Sequence, residues 1–207
     1  DHRVIYVETE GKTSAKDFLA WGVDPVQIAL IEETITENAF ELLFNTWDEV
    51  RKQHKGKKIL IVFDSFGNTI SKRDAEMDIS SDKDRPGGKG KVNRVGISKI
   101  IAKTRECGGD VAVLLINYTY DLMSFHGLRN AGGEASNLFS SLIYQTSRKK
   151  WLGKDRRDGC EVVWKLYKNH INKMDPGFKE IVLRITAKGM EFVEGSKKEA
   201  SDEEDFG

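Results

Sequence analysis

Three short polar endings follow three apolar runs in this 207-residue chain, and their residue types are those that do chemistry. Glu8-Thr9-Glu10 follows VIYV, Asp64-Ser65 follows ILIVF, and Asn117-Tyr118 follows VLLI. An acidic residue closing an apolar strand is suited to holding Mg2+, directly or through water, beside a nucleotide. A second carboxylate nearby can then orient and deprotonate an attacking water. Strand ends are also polar simply because they meet solvent, but three in series favour a site.

Gly11-Lys12-Thr13-Ser14 imitates the end of a phosphate-binding loop, G-x-x-x-x-G-K-[ST]. That motif needs a glycine where Tyr6 stands, because its backbone must curl until several N–H groups converge on the phosphates. Tyr6 belongs to a strand, so the expectation for 11–14 is a turn with a helix start at Thr13 or Ser14. Pro86-Gly-Gly-Lys-Gly-Lys91 also lacks the spacing.

Two other segments carry groups suited to nucleic acid. Residues 74–94 hold Arg85, Lys89, Lys91 and Arg94 among glycines, which suits phosphate neutralisation by a flexible segment, although a solvated charge run has the same composition. Residues 120–133 mix Tyr120, Met123, Phe125, His126 and Arg129 and close on Gly132-Gly133. Apolar and aromatic residues in an exposed polar loop fit wedging or stacking against spread bases. The glycine pair lets backbone N–H groups approach a phosphate.

The elements that must position these residues alternate. Strands are expected at 3–8, 26–32, 57–65 and 110–119, the last two as continuous apolar runs buried on both faces. A short helix ends at Gly22, and helical spacing of apolar residues marks 36–53 and 95–107. Residues 66–92 read as a mobile loop. This alternation indicates βαβ units and a parallel, doubly wound sheet. Beyond it, LIYQTSRKKW, EVVWKLYKNH and EIVLRITAKGMEFVEG alternate apolar and polar residues, as antiparallel strands with one wet face do. From Gly195 onward the charge-rich composition predicts a disordered acidic tail, either a solubilising one or one that mimics DNA or docks on partner proteins.

The totals bound the answer. The 33 basic and 33 acidic residues give no net charge, so any DNA contact must come from a local patch. Cys107 and Cys160 lie far apart with no CxxC or Cys/His cluster, which argues against a zinc site or a disulfide framework and fits a reducing compartment. No apolar run approaches the roughly 20 residues of a membrane span, and no signal peptide is visible, so the expectation is a soluble intracellular protein. The chain starts at Asp1 almost directly with a strand, so it reads as an N-terminally trimmed piece: one domain over 1–194 and the tail over 195–207.

The pattern resembles the RecA family, and within it the UvsX-like recombinases of T-even phages. VIYVETEG followed by FLAWGVDP resembles the strand bearing the family's catalytic glutamate and the helix closed by a Gly-Val-Asp turn. ILIVFDSFGNTISK resembles the Walker B strand, VLLINYTY the strand that senses the γ-phosphate, and NAGGEASNLFSSLIYQTSRKK the end of the second DNA-binding loop with the strand beyond it. VVWKLYKNH resembles a strand whose basic residues reach the nucleotide of a neighbouring subunit. The resemblance spans roughly residues 3–187.

That resemblance implies a RecA-like P-loop NTPase core, a mostly parallel sheet flanked by helices with antiparallel strands in the C-terminal half. It implies Glu10 as general base, Asp64 as the Walker B carboxylate supporting Mg2+ with Ser65 beside the nucleotide, and Tyr118 at the sensor position. The family usually places Gln, or His in phage members, at that position; Tyr keeps a hydroxyl but lacks the amide. Lys168 matches a subunit-bridging lysine, and His170 stands where the family prefers Lys or Arg. DNA would be contacted by Arg85, Lys89, Lys91 and Arg94 in one loop and by Met123, Phe125, Arg129, Gly132 and Gly133 in the other.

The implied protein polymerises on single-stranded DNA with ATP and Mg2+, pairs it with homologous duplex, and hydrolyses ATP, in the cytoplasm of a bacterium or phage-infected cell. Its partners would be DNA, further copies of itself in a helical filament, and single-strand-binding or mediator proteins. The family's phosphate-binding segment would precede residue 1, so residues 1–207 alone are expected to show negligible ATP turnover, with a sheet edge prone to association. Two rivals share the pattern: a replicative helicase of the same superfamily, and a non-catalytic RecA-like regulator.

Overall fold

The computed structural model describes residues 2–77, 88–121, 128–154, 156–171 and 180–193, with the side chains of Asp121, Leu128 and Arg129 undescribed. The chain divides into two compact units, Asp1–Phe139 and Ser140–Gly207. The predicted tail, 195–207, lies outside the described residues.

The first unit is α/β. Strands β1 (His2–Glu8), β2 (Ile28–Glu32), β3 (Lys58–Asp64) and β4 (Val111–Leu115) form a parallel sheet in the order β2-β1-β3-β4. The register sets Glu8 beside both Glu32 and Asp64, and Phe63 beside Leu115, so the carboxyl ends of the strands are level. One face carries Ile5, Val7, Ile59, Ile61 and Phe63, the alternate residues that a period of two sends to the same side. Against it pack helices α2 (Thr36–Gln53) and α4 (Gly88–Glu106).

Helix α2 forms where its spacing predicts. Phe40, Leu43 and Trp47 are buried on one stripe, and each such side chain contributes about 2–3 kcal/mol by leaving water. Glu33 accepts the N–H groups of Thr34 and Ile35 at 2.8 Å ahead of the first turn, and Arg51 and Lys52 sit in the last turn, where cations favour the helix dipole. Helix α4 comes close to α2 because residue 96 is glycine: a Cβ there would lie 2.2 Å from the Phe40 ring.

The sequence expectations need correction at several points. Residues 66–92 contain helix α3 (Lys72–Glu76), capped by the Ser71 hydroxyl, which accepts the Asp74 N–H at 3.2 Å. Helix α4 starts at Gly88 rather than near 95. Tertiary anchors outweigh the cost of about 1 kcal/mol for each of its first two glycines: Asn93 is fully buried and donates to the Gly132 carbonyl at 2.8 Å, while Lys89 donates to the Gly67 carbonyl.

Strand β4 stops at Leu115, and Thr119–Asp121 (β5) pairs antiparallel with Leu128–Asn130 (β6), so the segment 120–133 is a hairpin at its base. Finally, β3 and β4 are not covered on both faces. Leu60 is 37% exposed and Leu114 51%, because an apolar run reports hydrophobicity and carries no information on what lies over each face.

The second unit is an antiparallel sheet, as the alternating pattern predicts. Strands β7 (Leu142–Trp151), β8 (Cys160–Asn169), β9 (Glu180–Thr186) and β10 (Gly189–Phe192) run in the order β10-β9-β8-β7. Helix α5 (Ala135–Phe139) closes the first unit. Among the described residues no helix is long and apolar enough to cross a membrane.

Candidate functional site

The three polar endings meet. Past β1 and β3 the chains are stitched by backbone and hydroxyl groups. The Thr9 N–H donates to the Asp64 carbonyl at 2.9 Å, the Thr9 hydroxyl donates to the Ser65 carbonyl at 2.9 Å, and the Ser65 N–H donates to Thr9 Oγ1 at 3.0 Å. The Asp64–Ser65 peptide is cis. On the other side the Phe66 N–H donates to the Ile116 carbonyl at 2.7 Å, which ties the end of β3 to the end of β4. Phe66 itself is fully buried, edge-on to Phe63 at 5.5 Å, and so fixes the turn 65–68 to the core.

The two neighbouring glutamates have different roles. Glu8 is almost fully buried, and its carboxylate accepts the N–H groups of Glu10 (3.1 Å), Gly11 (2.6 Å) and Lys12 (3.1 Å). It therefore shapes the turn. Glu10 stands at the rim and accepts from the Ser65 hydroxyl at 2.7 Å, from the Asn68 amide and from the Lys12 ammonium. The Lys12 ammonium, with help from Ser65, holds the Glu10 carboxyl below the usual carboxylate range. As expected, residues 11–14 are a turn: helix α1 (Ala15–Ala20) starts after Ser14, whose N–H and hydroxyl both donate to Asp17, at 2.7 and 2.6 Å.

Asp64 is half-buried, and the Tyr6 hydroxyl donates to its Oδ2. Tyr6 lies inside β1, as its strand context predicts, with its ring edge-on to Phe18 at 5.1 Å. Burial and the adjacent Asp64 push the Tyr6 hydroxyl up to about 12, so it remains a proton donor. Tyr118 is about half exposed, and its N–H donates to Asn117 Oδ1 at 3.0 Å. Both Asn117 and Tyr118 lean on Gly67: a Cβ there would lie 2.6 Å from Asn117 Oδ1 and 2.8 Å from Tyr118 Cε1. The turn 65–68 thus touches Glu10 on one side and Tyr118 on the other.

The donor set fits Mg2+ in a particular way. Asp64, Ser65 and Glu10 offer oxygen alone, the preference of a hard cation. Among the described residues no three Asp, Glu, His or Cys side chains gather into a metal cage. Mg2+ that keeps several waters and takes its remaining ligands from phosphate needs no such cage.

The basic residues divide. Lys91 and Arg94 are exposed and three apart on α4, hence on one face. The Lys89 ammonium is half-buried on the Gly67 carbonyl, and burial lowers its pKa. Lys89 and Gly90 line a cleft of about 600 Å³ together with Tyr120, Asn130, Ala131, Gly133 and Glu134. The end of the first expected DNA segment and both ends of the second therefore line one cleft. The Gly132 carbonyl receives the Asn93 amide, and the Gly133 N–H donates to the Asn130 carbonyl at 3.0 Å. Arg129 stands opposite Tyr120 in the β5–β6 ladder. Arg85, Met123 and Phe125 lie outside the described residues. Lys168 pairs with Ile143 near the end of β8, and His170 follows with its N–H on the Ser141 carbonyl at 2.8 Å; both belong to the second unit.

Sequence reasoning passed over Tyr6, Lys12 and Asn68. Tyr6 was legible in part, because period-two alternation puts it on the face that Glu8 shares. Lys12 and Asn68 reach Glu10 through turns whose shape no periodicity encodes. No protein-family model matches the chain, and no curated protein matches it.

Proposed function

We propose that this chain is the carboxylate and DNA-facing part of a RecA-type ATPase, an ATP-dependent strand-exchange recombinase that forms filaments on single-stranded DNA. One observation carries the reading: Glu10, Asp64-Ser65 and Asn117-Tyr118 end three adjacent parallel strands and are joined through the turn 65–68. In open α/β sheets the carboxyl ends of the strands are where ligands bind. A carboxylate that orients water, a second that supports a cation, and a polar aromatic at the end of the neighbouring strand are parts a DNA-dependent ATPase uses.

In this reading Glu10 accepts the proton of the attacking water, held in place by Ser65 and Asn68. Asp64, braced by Tyr6, is held in orientation beside the phosphates of ATP. When bound, Mg2+ supplies neutralisation of charge on the phosphate oxygens. Tyr118 and Lys89 share Gly67 as a neighbour, so a change at the turn 65–68 reaches the cleft that takes DNA. Lys91 and Arg94 neutralise backbone phosphates. A non-catalytic RecA-like module is the second reading, favoured by Tyr118, whose phenol lacks the amide usual at the sensor position.

Fluorescence anisotropy of a labelled oligo(dT) with the full chain tests the proposal. The expected result is binding at low salt that weakens steeply as salt rises, with the Lys91→Ala/Arg94→Ala double variant reducing the salt slope by about 2. No binding at low salt, or binding indifferent to this double variant, rejects the DNA assignment. Electron microscopy of the complex with ATP and Mg2+ separates helical filaments from the hexameric rings of a helicase.

A further inference from the structure

Lys12 has no part in the mechanism above, yet it is placed against the residue that mechanism depends on most. The Glu8 carboxylate fixes the turn by taking three successive N–H groups, and the chain then carries the Lys12 ammonium back onto Glu10 Oε2. The Lys12 side chain is 76% exposed and that of Glu10 19%, so the pair closes the solvent side of the site. Glu10 raises the Lys12 pKa first, with Asp64 and Glu8 adding to it, so the ammonium stays charged and feels all three carboxylates.

Both oxygens of Glu10 are engaged in this arrangement, Oε1 by Ser65 and Asn68 and Oε2 by Lys12. Oε1 is then filled by two donors, and the ammonium takes part of Oε2 and weakens its basicity, so Glu10 is a poorer general base in that condition. A divalent cation arriving at Asp64 would also meet the positive charge of Lys12 within the same cluster. Ser65 and Asn68 are held by a turn anchored in the core, whereas Lys12 is on a long exposed side chain, and exposed ion pairs are weak enough to exchange readily. The partner that can leave is therefore Lys12.

We propose that Lys12 is a resident counter-ion of the Glu10–Asp64 site, neutralising it when no divalent cation is bound and released from Glu10 when one binds. This rests on the cation-supporting role of Asp64 in the function proposed above. It makes Lys12 a positioning residue that sets when Glu10 is available.

Mn2+ binding to the full chain without nucleotide, followed by the electron paramagnetic resonance of free Mn2+, tests it. Lys12→Met is expected to tighten Mn2+ binding about two- to fivefold, since it removes one nearby positive charge. Lys12→Arg keeps the charge and is expected to bind as the parent does, and Asp64→Asn is expected to weaken binding in both the parent and the Lys12→Met background. A merely structural role for Lys12 would not tighten cation binding. Unchanged affinity in Lys12→Met, with binding still sensitive to Asp64→Asn, overturns the counter-ion role while leaving the cation role of Asp64 standing. Absence of any Asp64-dependent binding, in parent and variant alike, overturns both. Lys12→Gln serves as a second neutral variant, and circular dichroism checks that each variant is folded.

Discussion

Glu10 in the first unit and Glu161 in the second are both glutamates held by cations, and they are held in opposite ways. Glu161 lies near the start of β8, beside a register shift in its pairing with β7, and directly across from Lys150 on β7 and Arg184 on β9. Arg184 Nη2 donates to Oε1 at 3.1 Å and Lys150 Nζ lies 3.2 Å from Oε2, with the glutamate only 3% exposed. All three side chains come from paired strands, so the strand register keeps both cations opposite Glu161. Glu10 sits past the end of a strand, and its cation comes from two residues away on a turn. A charge cluster built across a ladder serves structure, and one built on a turn at the carboxyl ends of parallel strands is free to change partners.

The strongest way to break this comparison is at Glu161. Glu161→Gln leaves the half-exposed Arg184 and Lys150 facing a buried neutral amide, and is expected to lower Tm by several degrees, a larger loss than Tyr6→Phe or Glu10→Gln would cause. The same group sharpens the comparison through pH. Burial opposes its charged form, but Arg184 and Lys150 outweigh that and hold the Glu161 carboxyl below the usual range. A carboxyl with a depressed folded-state pKa contributes stability in full above the unfolded value of about 4.3, and loses it as pH falls through the folded one. Urea unfolding of the parent should therefore weaken below about pH 4, and Glu161→Gln should show a flatter acid limb. Equal acid sensitivity in parent and variant would refute the structural assignment.

Tyr6→Phe comes next. It removes the hydroxyl that donates to Asp64 and keeps the ring against Phe18, so a loss of about 1 kcal/mol in urea unfolding is expected. The smallest effect belongs to Glu10→Gln, within about 0.5 kcal/mol of the parent by the same measurement, because an exposed pair on a turn stabilises little. A large loss there would place Glu10 with Glu161 among structural residues and count against its proposed role as general base.

Much of the fold was legible because it depends on local periodicity. The spacing of Phe40, Leu43 and Trp47 gave α2 its residue limits, and alternation marked β7, β8 and β9 as antiparallel strands. Misjudged elements were those held by distant partners. The residues from Gly88 have poor helix propensity and read as loop, yet Asn93 and Lys89 anchor them to Gly132 and Gly67. At the site, the chemical types of Glu10, Asp64 and Tyr118 stood out, since a polar group ending an apolar run is conspicuous. Their actual neighbours did not.

What the sequence by itself determined is which residues end the strands and which elements surround them, because hydrophobic period and turn chemistry act over a few residues at a time. Only the tertiary structure decided that Glu8 shapes a turn while Glu10 faces the site, that Tyr6 braces Asp64, and that Lys12 occupies Glu10. Those assignments depend on strand register and on turns that bring residues more than 50 positions apart within hydrogen-bond reach, as Glu10 and Ser65 are. The contacts of Glu10 with Ser65 and of Tyr6 with Asp64 arise from the packing of the sheet, whereas those of Glu8 and Lys12 lie inside residues 8–12 and depend on the shape of the turn.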